Sequence, residues 1–252
     1  MGFKVGTQLH PQHTTTDELI EAARHADRMG VDSIWVWDHM FPLYGDQDDV
    51  SFECYTLLAA IAQVTEHAQL GALVAGNNYR NPELLAYMTN TIDHISHGRA
   101  VLGVGAGWCE RDYNEYGYEF GDAPGRLREL RRALPLIKSR LAKVDPQPVG
   151  SIPILIGGGG EKVTLRLTAQ YADMWNGGGP LDVWTRKNRI LNEWCEKVGR
   201  DPKEIERTVM IQSRDLDQLP GLLEAGVTHV ILEWPTPFDA DPVEGLLKQA
   251  RN

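Results

Sequence analysis

The chain has 252 residues, of which 42% are hydrophobic and 24% are charged, and its formal net charge is -10. This length suits one large α/β domain, and the acidic balance argues against nucleic acid as a partner, because such binding needs clustered Lys and Arg. No apolar run approaches the roughly 20 residues of a membrane span and no signal-peptide core precedes the first strand pattern, so we expect a cytoplasmic protein without a membrane partner.

Hydrophobic periodicity predicts eight strands, each followed by a helix. The strands are predicted at 3–9, 32–37, 69–75, 100–104, 153–156, 173–176, 208–212 and 228–232, and the helices at 16–29, 53–66, 82–97, about 126–141, 161–171, 181–198, 216–225 and 243–251. Strict alternation implies parallel pairing with right-handed crossovers, and eight units favour closure into a TIM (β/α)8 barrel of the α/β class. A doubly wound open sheet is the alternative.

Ligands of such a barrel bind where the strands end, so the residues that follow the predicted strands form a candidate rim. They are Gln8, His10, Asp38, His39, Gly76, Asn77, 105–108, 157–160, Trp175 and Asn176. This set is polar, aromatic and rich in glycine. It predicts a small-molecule site rather than a macromolecular interface.

Three glycines surround the end of the fourth predicted strand. Without Cβ atoms at Gly103, Gly105 and Gly107, backbone N–H groups could approach a flat ring or a phosphate closely. The dinucleotide pattern GxGxxG is not met, because its third glycine would fall at Trp108, so no nicotinamide site of the Rossmann type is predicted. The alternative is a simple turn from strand to helix.

Two further glycine segments carry open interpretations. The run 157–160 precedes a predicted helix and offers N–H groups at a positive dipole end, which suits a phosphate. It lacks the GK[ST] ending of a nucleotide triphosphate loop, and a flexible turn is its alternative. The segment Gly76–Asn77–Asn78 is either a tight turn or a peptide placed against a ring.

Acid–base chemistry is predicted at Asp38 and His39, because imidazole titrates near neutral pH and a neighbouring carboxylate biases its charge. The alternative is a helix cap or a surface loop pair. His10 and His13 could in principle bind a metal, because histidine is a common metal ligand. Their loop lacks a third ligand, however, and the zinc-binding motif HExxH is absent from the chain. The three cysteines form no CxxC pair, so neither a metal site nor a disulfide framework is predicted.

Four blocks of the chain together resemble the luciferase-like monooxygenase superfamily, and within it the F420-dependent oxidoreductases. They are WVWDHMFP at 35–42, LGALVAGNNYRNPELLAYMTNTIDHIS at 70–96, GRAVLGVGAGW at 98–108 and IPILIGGGGEKVTLRLTAQYADMWN at 152–176. The resemblance covers residues 3–176 well and the last third of the chain weakly. It implies one luciferase-like barrel domain over residues 1–252.

The resemblance also implies the cofactor and the residues around it. The cofactor would be coenzyme F420, a deazaflavin, with FMN as the alternative. His39 would transfer a proton, and Asp38 would lie near the ring with a catalytic or supporting part. The residues that would bind the cofactor are Asp38, Leu73, Ala75, Gly76, Asn77, Gly105, Ala106, Gly107, Trp108, Gly158, Gly159, Gly160, Lys162 and Val163.

The chain departs from the family pattern in three places. Trp108 stands where some sugar-phosphate dehydrogenases of the family carry a catalytic glutamate, and Asp112 stands where others have a glutamate. The link 141–152 is short, as if an insertion that covers the pocket in longer relatives were missing. An open site would follow, or one closed by the partner subunit of a homodimer.

Four functions are compatible with these residues. The first is an F420-dependent oxidoreductase that moves a hydride between the deazaflavin and a small organic substrate. The second is an FMN-dependent monooxygenase that uses reduced flavin and oxygen. The third is a non-catalytic barrel that binds the cofactor, and the fourth, a metal-dependent hydrolase, is disfavoured by the scarcity of metal ligands.

Overall fold

The computed structural model describes residues 2–251. The strands are β1 Lys4–Leu9, β2 Ser33–Val36, β3 Gln69–Ala72, β4 Ala75–Gly76, β5 Ala100–Gly105, β6 Ile154–Gly157, β7 Met174–Gly177, β8 Glu206–Ile211 and β9 His229–Trp234. The α-helices are α1 Thr16–Met29, α2 Cys54–Val64, α3 Pro82–Ile95, α4 Glu110–Glu115, α5 Ala123–Leu141, α6 Thr164–Tyr171, α7 Leu181–Val198, α8 Leu219–Glu224 and α9 Asp241–Arg251. Short 3-10 turns cover Asn77–Tyr79, Pro202–Glu204 and Ser213–Gln218.

The sheet closes into a barrel. Its order is β3-β2-β1-β9-β8-β7-β6-β5-β4, and β3 also pairs with β5, so β3 and β4 share one barrel position and the ring has eight. Every ladder between named strands is parallel. The predicted TIM barrel is thereby confirmed, and the open-sheet alternative is wrong.

A cluster of apolar side chains fills the barrel interior. It consists of Trp35, Leu73, Val101, Leu155, Met174 and Ile231, and the larger apolar cluster lies between the sheet and its helices. Glycine makes room for the interior cluster at Gly71, where a Cβ atom would lie 2.8 Å from the ring of Trp35. The interior is therefore packed, and a ligand has to bind at the mouth.

The third barrel strand is interrupted, whereas the sequence predicts it as continuous over 69–75. The Leu73–Val74 peptide bond is cis, and Val74 points across the barrel mouth. A Cβ atom at Gly105 would lie 2.8 Å from Val74 Cγ2, and one at Gly157 would lie 2.9 Å from the same side chain. These two glycines therefore make room for Val74, whereas the sequence predicts room for a ligand or a simple turn at both places.

Most predicted boundaries shift by one to three residues, and the clearest differences concern two predicted helices and one helix that was not predicted. The helix predicted from residue 161 begins at Thr164, because a turn separates it from the glycine run. The segment predicted as one helix over 216–225 is a 3-10 turn followed by α8. Pro220 lies in the first turn of α8, where backbone N–H groups have no partner in the helix and proline, which lacks one, is favoured. The periodicity missed α4, whose six residues are too few to show a helical repeat.

Among residues 2–251, no helix combines the length and the apolar character that a membrane-spanning helix requires.

Candidate active site

A cleft of about 400 Å³ opens at the carboxyl ends of the strands. Predicted cofactor residues that line it are Asp38, Leu73, Ala75, Gly76, Gly105, Ala106, Gly107, Trp108 and Gly158, together with the predicted proton-transfer residue His39. Segments up to 120 residues apart in the chain thus meet in one hollow, as the rim hypothesis requires. Such a volume lies within the range of small-molecule and cofactor sites, roughly 300–1,000 Å³.

The other predicted residues lie beside the cleft. Asn77 is buried at the start of a 3-10 turn, lines a neighbouring groove and donates from Nδ2 to Asn78 Oδ1 at 2.9 Å. Lys162 is exposed, and Val163 packs against the core as the residue before α6. Their part in cofactor binding stays a prediction, as does that of Gly159 and Gly160 in the same loop.

Asp38 is held in a buried ion pair that the sequence did not reveal. Arg80 donates to both of its oxygens, at 2.6 Å and 2.9 Å, and the Gly76 amide donates to Oδ2 at 3.0 Å. The second Arg80 nitrogen also contacts Glu53 at 2.6 Å. Because both carboxyl oxygens of Asp38 already accept hydrogen bonds from these donors, the arrangement favours an anchoring role for Asp38 over proton transfer.

His39 lines the cleft and is oriented from behind by Asp112. Its Nδ1 lies 2.7 Å from Asp112 Oδ2, and the Asp112 side chain is 1% exposed. Asp112 also accepts from the Tyr79 hydroxyl at 2.9 Å and from the Met40 amide at 3.1 Å. With Nδ1 occupied, Nε2 is the His39 nitrogen that a ligand in the cleft can reach.

The surroundings of His39 keep its ring protonated. Burial favours the neutral ring, but Asp112 and the neighbouring Cys109 outweigh it and raise the pKa of His39 to about 9. Burial also opposes ionisation of Asp112, yet its hydrogen bond with His39 holds the pKa of that carboxyl below its usual range. At neutral pH the pair is therefore an imidazolium facing the cleft and a carboxylate behind it.

The side chains of His39, Cys109 and Asp112 are as close together as metal ligands, with their donor atoms all within 4.8 Å of one another. The contact between His39 and Asp112 has the length of a hydrogen bond, and Asp112 serves two further donors. We therefore interpret the cluster as a proton-holding network rather than a metal centre.

His10 and His13 lie in separate surroundings. His13 pairs with Asp49 at 2.6 Å, and the ring of His10 lies tilted against that of Trp37, with centroids 4.3 Å apart.

A lysine that the sequence analysis missed lies at the glycine loop. A Cβ atom at Gly159 would be 2.6 Å from Lys187 Nζ, so this amine of α7 rests directly on the loop. The amide of Gly158 is already used by Asn176 O at 3.1 Å. The groups there that suit an anion are therefore the Lys187 amine and the backbone beyond Gly158.

The loop that carries Trp108 is fixed by an arginine of α5. Arg126 is 9% exposed, donates from Nε to Gly107 O at 3.1 Å and covers the ring of Phe120 at 3.9 Å. Gly107 has a φ of 79°, a left-handed conformation that glycine adopts without strain. Trp108 itself is 66% exposed beside His39, with the ring centroids 5.2 Å apart.

Comparisons with known proteins show what the sequence of this chain resembles. The sequence model of luciferase-like monooxygenases matches residues 1–213. An F420-dependent glucose-6-phosphate dehydrogenase of Amycolatopsis mediterranei is 26% identical over 87% of this chain and 72% of its own length.

Solved structures share the whole fold at lower identity. An F420-dependent secondary alcohol dehydrogenase, determined in complex with an F420-acetone adduct, superposes with a TM-score of 0.88 at 17% identity and covers all of both chains. A type II Baeyer–Villiger monooxygenase of Pseudomonas putida in complex with FMN gives 0.77 at 15% identity, covering 99% of this chain and 96% of the other.

Proposed function

This chain belongs to the luciferase-like monooxygenase family, and from that premise we propose that it is an F420-dependent oxidoreductase acting on a small organic substrate. The family is the one that the four sequence blocks predict. The F420-dependent dehydrogenase of Amycolatopsis mediterranei supports F420 as the cofactor, and the monooxygenase in complex with FMN supports FMN as the alternative. The observation that carries the proposal is His39, held through Nδ1 by the buried Asp112, in a cleft lined by glycine and alanine residues of three strand ends.

The residues present fit a deazaflavin. Backbone of 75–76, 105–107 and 157–158 forms one wall of the cleft, with Val74 as its floor, and such a surface suits a flat ring. Lys187, with the loop backbone after Gly158, would hold the phosphate. F420, when bound, supplies the hydride transfer, so the protein has to orient the two reactants and manage one proton.

His39 is proposed as the group that manages this proton. Its Nε2 would donate to the substrate oxygen when a carbonyl is reduced, and would accept the same proton when an alcohol is oxidised. Asp112 would stabilise the imidazolium through Nδ1, so it is a positioning residue. Asp38 would keep the strand after Val74 in place through its bond with the Gly76 amide.

The raised pKa of His39 predicts opposite pH profiles for the two directions. Carbonyl reduction needs the protonated ring, so its rate should be level below pH 9 and fall by about tenfold per pH unit above it. Alcohol oxidation needs the neutral ring and should rise toward pH 9. Initial rates from pH 6 to pH 10.5 would measure both, and identical profiles for the two directions would contradict the role of His39.

Turnover assays test the function itself. Purified protein is expected to change the absorbance of F420 with a panel of small alcohols or carbonyl compounds, and to do so equally without oxygen. A monooxygenase would instead consume oxygen in the presence of reduced FMN. Oxygen uptake with reduced FMN, together with no F420-linked turnover, would replace the first hypothesis by the second. Pairing into a homodimer stays a prediction.

A further inference from the structure

The mouth of the barrel has a second, polar side that the proposed chemistry does not use. Glu233 near the end of β9 is in register with Gln8 on β1, and Gln8 lines the cleft. Residues in register on neighbouring parallel strands point to the same face, so Glu233 also faces the mouth. Gln212 donates to Glu233 Oε2 at 2.8 Å, and a tenth of the Glu233 side chain is exposed.

Two buried polar atoms, one on His10 beside Glu233 and one on Trp37, whose ring contacts that of His10, have no hydrogen-bond partner within residues 2–251. They are His10 Nε2 and Trp37 Nε1, and each residue is only 3% exposed. Folded proteins leave few such groups without a partner, so a bound ligand is a natural one. Trp37 lines the cleft, and its ring lies 4.3 Å from that of His10 and 6.4 Å from that of His39.

The contact between His10 and Glu233 is too long for a hydrogen bond. His10 Nε2 lies 3.7 Å from Glu233 Oε2, a gap that one hydroxyl group can bridge by accepting from the imidazole and donating to the carboxylate. Burial lowers the pKa of His10 to about 4 and raises that of Glu233. With a neutral imidazole at pH 7, the two side chains form no ion pair and stay available to a ligand.

Apart from His39, which the reacting group would occupy, no cationic side chain among residues 2–251 lines the cleft for a phosphorylated substrate. None of its lining residues within 2–251 is Lys or Arg. Arg80 is committed to Asp38 and Glu53, and Arg214, the cation that acts on Glu233, is exposed. A phosphate group in the mouth would instead face the carboxylate of Glu233.

We propose that Glu233, His10 and Trp37 form a subsite for a second hydroxyl group of an uncharged, polyhydroxylated substrate. This inference rests on the proposed function, because the first hydroxyl or carbonyl group would lie at His39. The second hydroxyl lies several bonds from the reacting carbon, since the ring of Trp37 separates His39 from His10.

Binding of three probes with one ring tests the subsite. Cyclohexanol, 1,4-cyclohexanediol and cyclohexyl phosphate are titrated by calorimetry into the protein alone and into the protein with F420. We expect the diol to bind at least about tenfold more tightly than cyclohexanol, a difference of about 1.4 kcal/mol, and the phosphate to bind no more tightly than cyclohexanol. Glu233→Gln and Trp37→Phe should each remove most of the advantage of the diol.

Glu206→Gln is the matched control. Glu206 also faces a buried histidine, His229, at 2.8 Å, but these two residues begin β8 and β9, whereas Glu233 lies near the carboxyl end of β9, so this variant should keep the preference for the diol. Equal binding of the two alcohols, no binding of either, tighter binding of the phosphate, or a preference that survives both mouth variants would overturn the subsite. An F420 titration reports separately on the proposed function, because the probes are also measured without cofactor.

Discussion

Replacement of His39 by asparagine is expected to lower turnover by roughly 10²–10⁴-fold, the usual contribution of a positioned acid or base. Asparagine cannot carry the proton that Asp112 stabilises on the imidazole, whereas every other residue that lines the cleft is unchanged. The expected loss is therefore in kcat, with F420 affinity changed little. Steady-state kinetics and a cofactor titration on the same preparation would measure both quantities.

His13→Asn is the matched control for this variant. His13 pairs with Asp49 at 2.6 Å, much as His39 pairs with Asp112, but its side chain lies in an exposed loop outside the cleft. Turnover of this variant should equal that of the parent protein. If both variants turn over as fast as an active parent protein, the proton comes from another group or from water. If the parent protein itself shows no turnover, the non-catalytic barrel becomes the better hypothesis.

Replacement of Arg80 by methionine is expected to reduce the free energy of unfolding by about 3–5 kcal/mol, because it leaves the carboxylate of Asp38 buried without its cation. The two side chains are 13% and 5% exposed, so solvent screens them little. For a chain of this size the melting temperature should fall by roughly 6–20 °C. Chemical denaturation monitored by circular dichroism would measure the change.

Arg186→Met provides the comparison for an exposed pair. Arg186 contacts Glu161 at 2.9 Å, but its side chain is 63% exposed, so the loss should stay below about 1 kcal/mol. Adding Asp38→Asn to Arg80→Met should recover part of the stability, since the orphaned charge is then gone. A loss below about 1 kcal/mol for Arg80→Met alone would contradict a buried, essential ion pair.

The fold was predictable because hydrophobic residues repeat with different spacings in strands and in helices, and segments of the two kinds alternate strictly along this chain. The closed ring follows from eight such units, and the ends of the strands could be placed to within a few residues. Hydrophobic periodicity alone could not predict the break after Ala72, since Leu73 and Val74 continue an apolar strand pattern. For the same reason the sequence does not reveal that Val74 packs against the glycines of β5 and β6, where Cβ atoms would collide with its side chain.

The candidate site was predictable where it depends on strand ends and not where it depends on side-chain partners. His39 and the glycine-rich wall follow from their places after strands. Asp112 lies 73 residues from His39, and only tertiary packing brings the two together. Arg80 and Lys187 are ordinary helix or loop cations in the sequence, and their partners, Asp38 and the loop at Gly159, become visible only in the folded chain.

Cofactor binding tests the central claim most directly. The protein and its Lys187→Ala variant would be titrated with F420 and with FMN under identical conditions, and Lys197→Ala, a change on the same helix over the ring of Trp194, would serve as the control. We expect F420 to bind the parent protein more tightly than FMN, and Lys187→Ala to weaken F420 by about tenfold or more, because a charge-assisted bond to the phosphate is lost. Tight FMN binding with none for F420, or an unchanged F420 affinity in Lys187→Ala, would contradict this account.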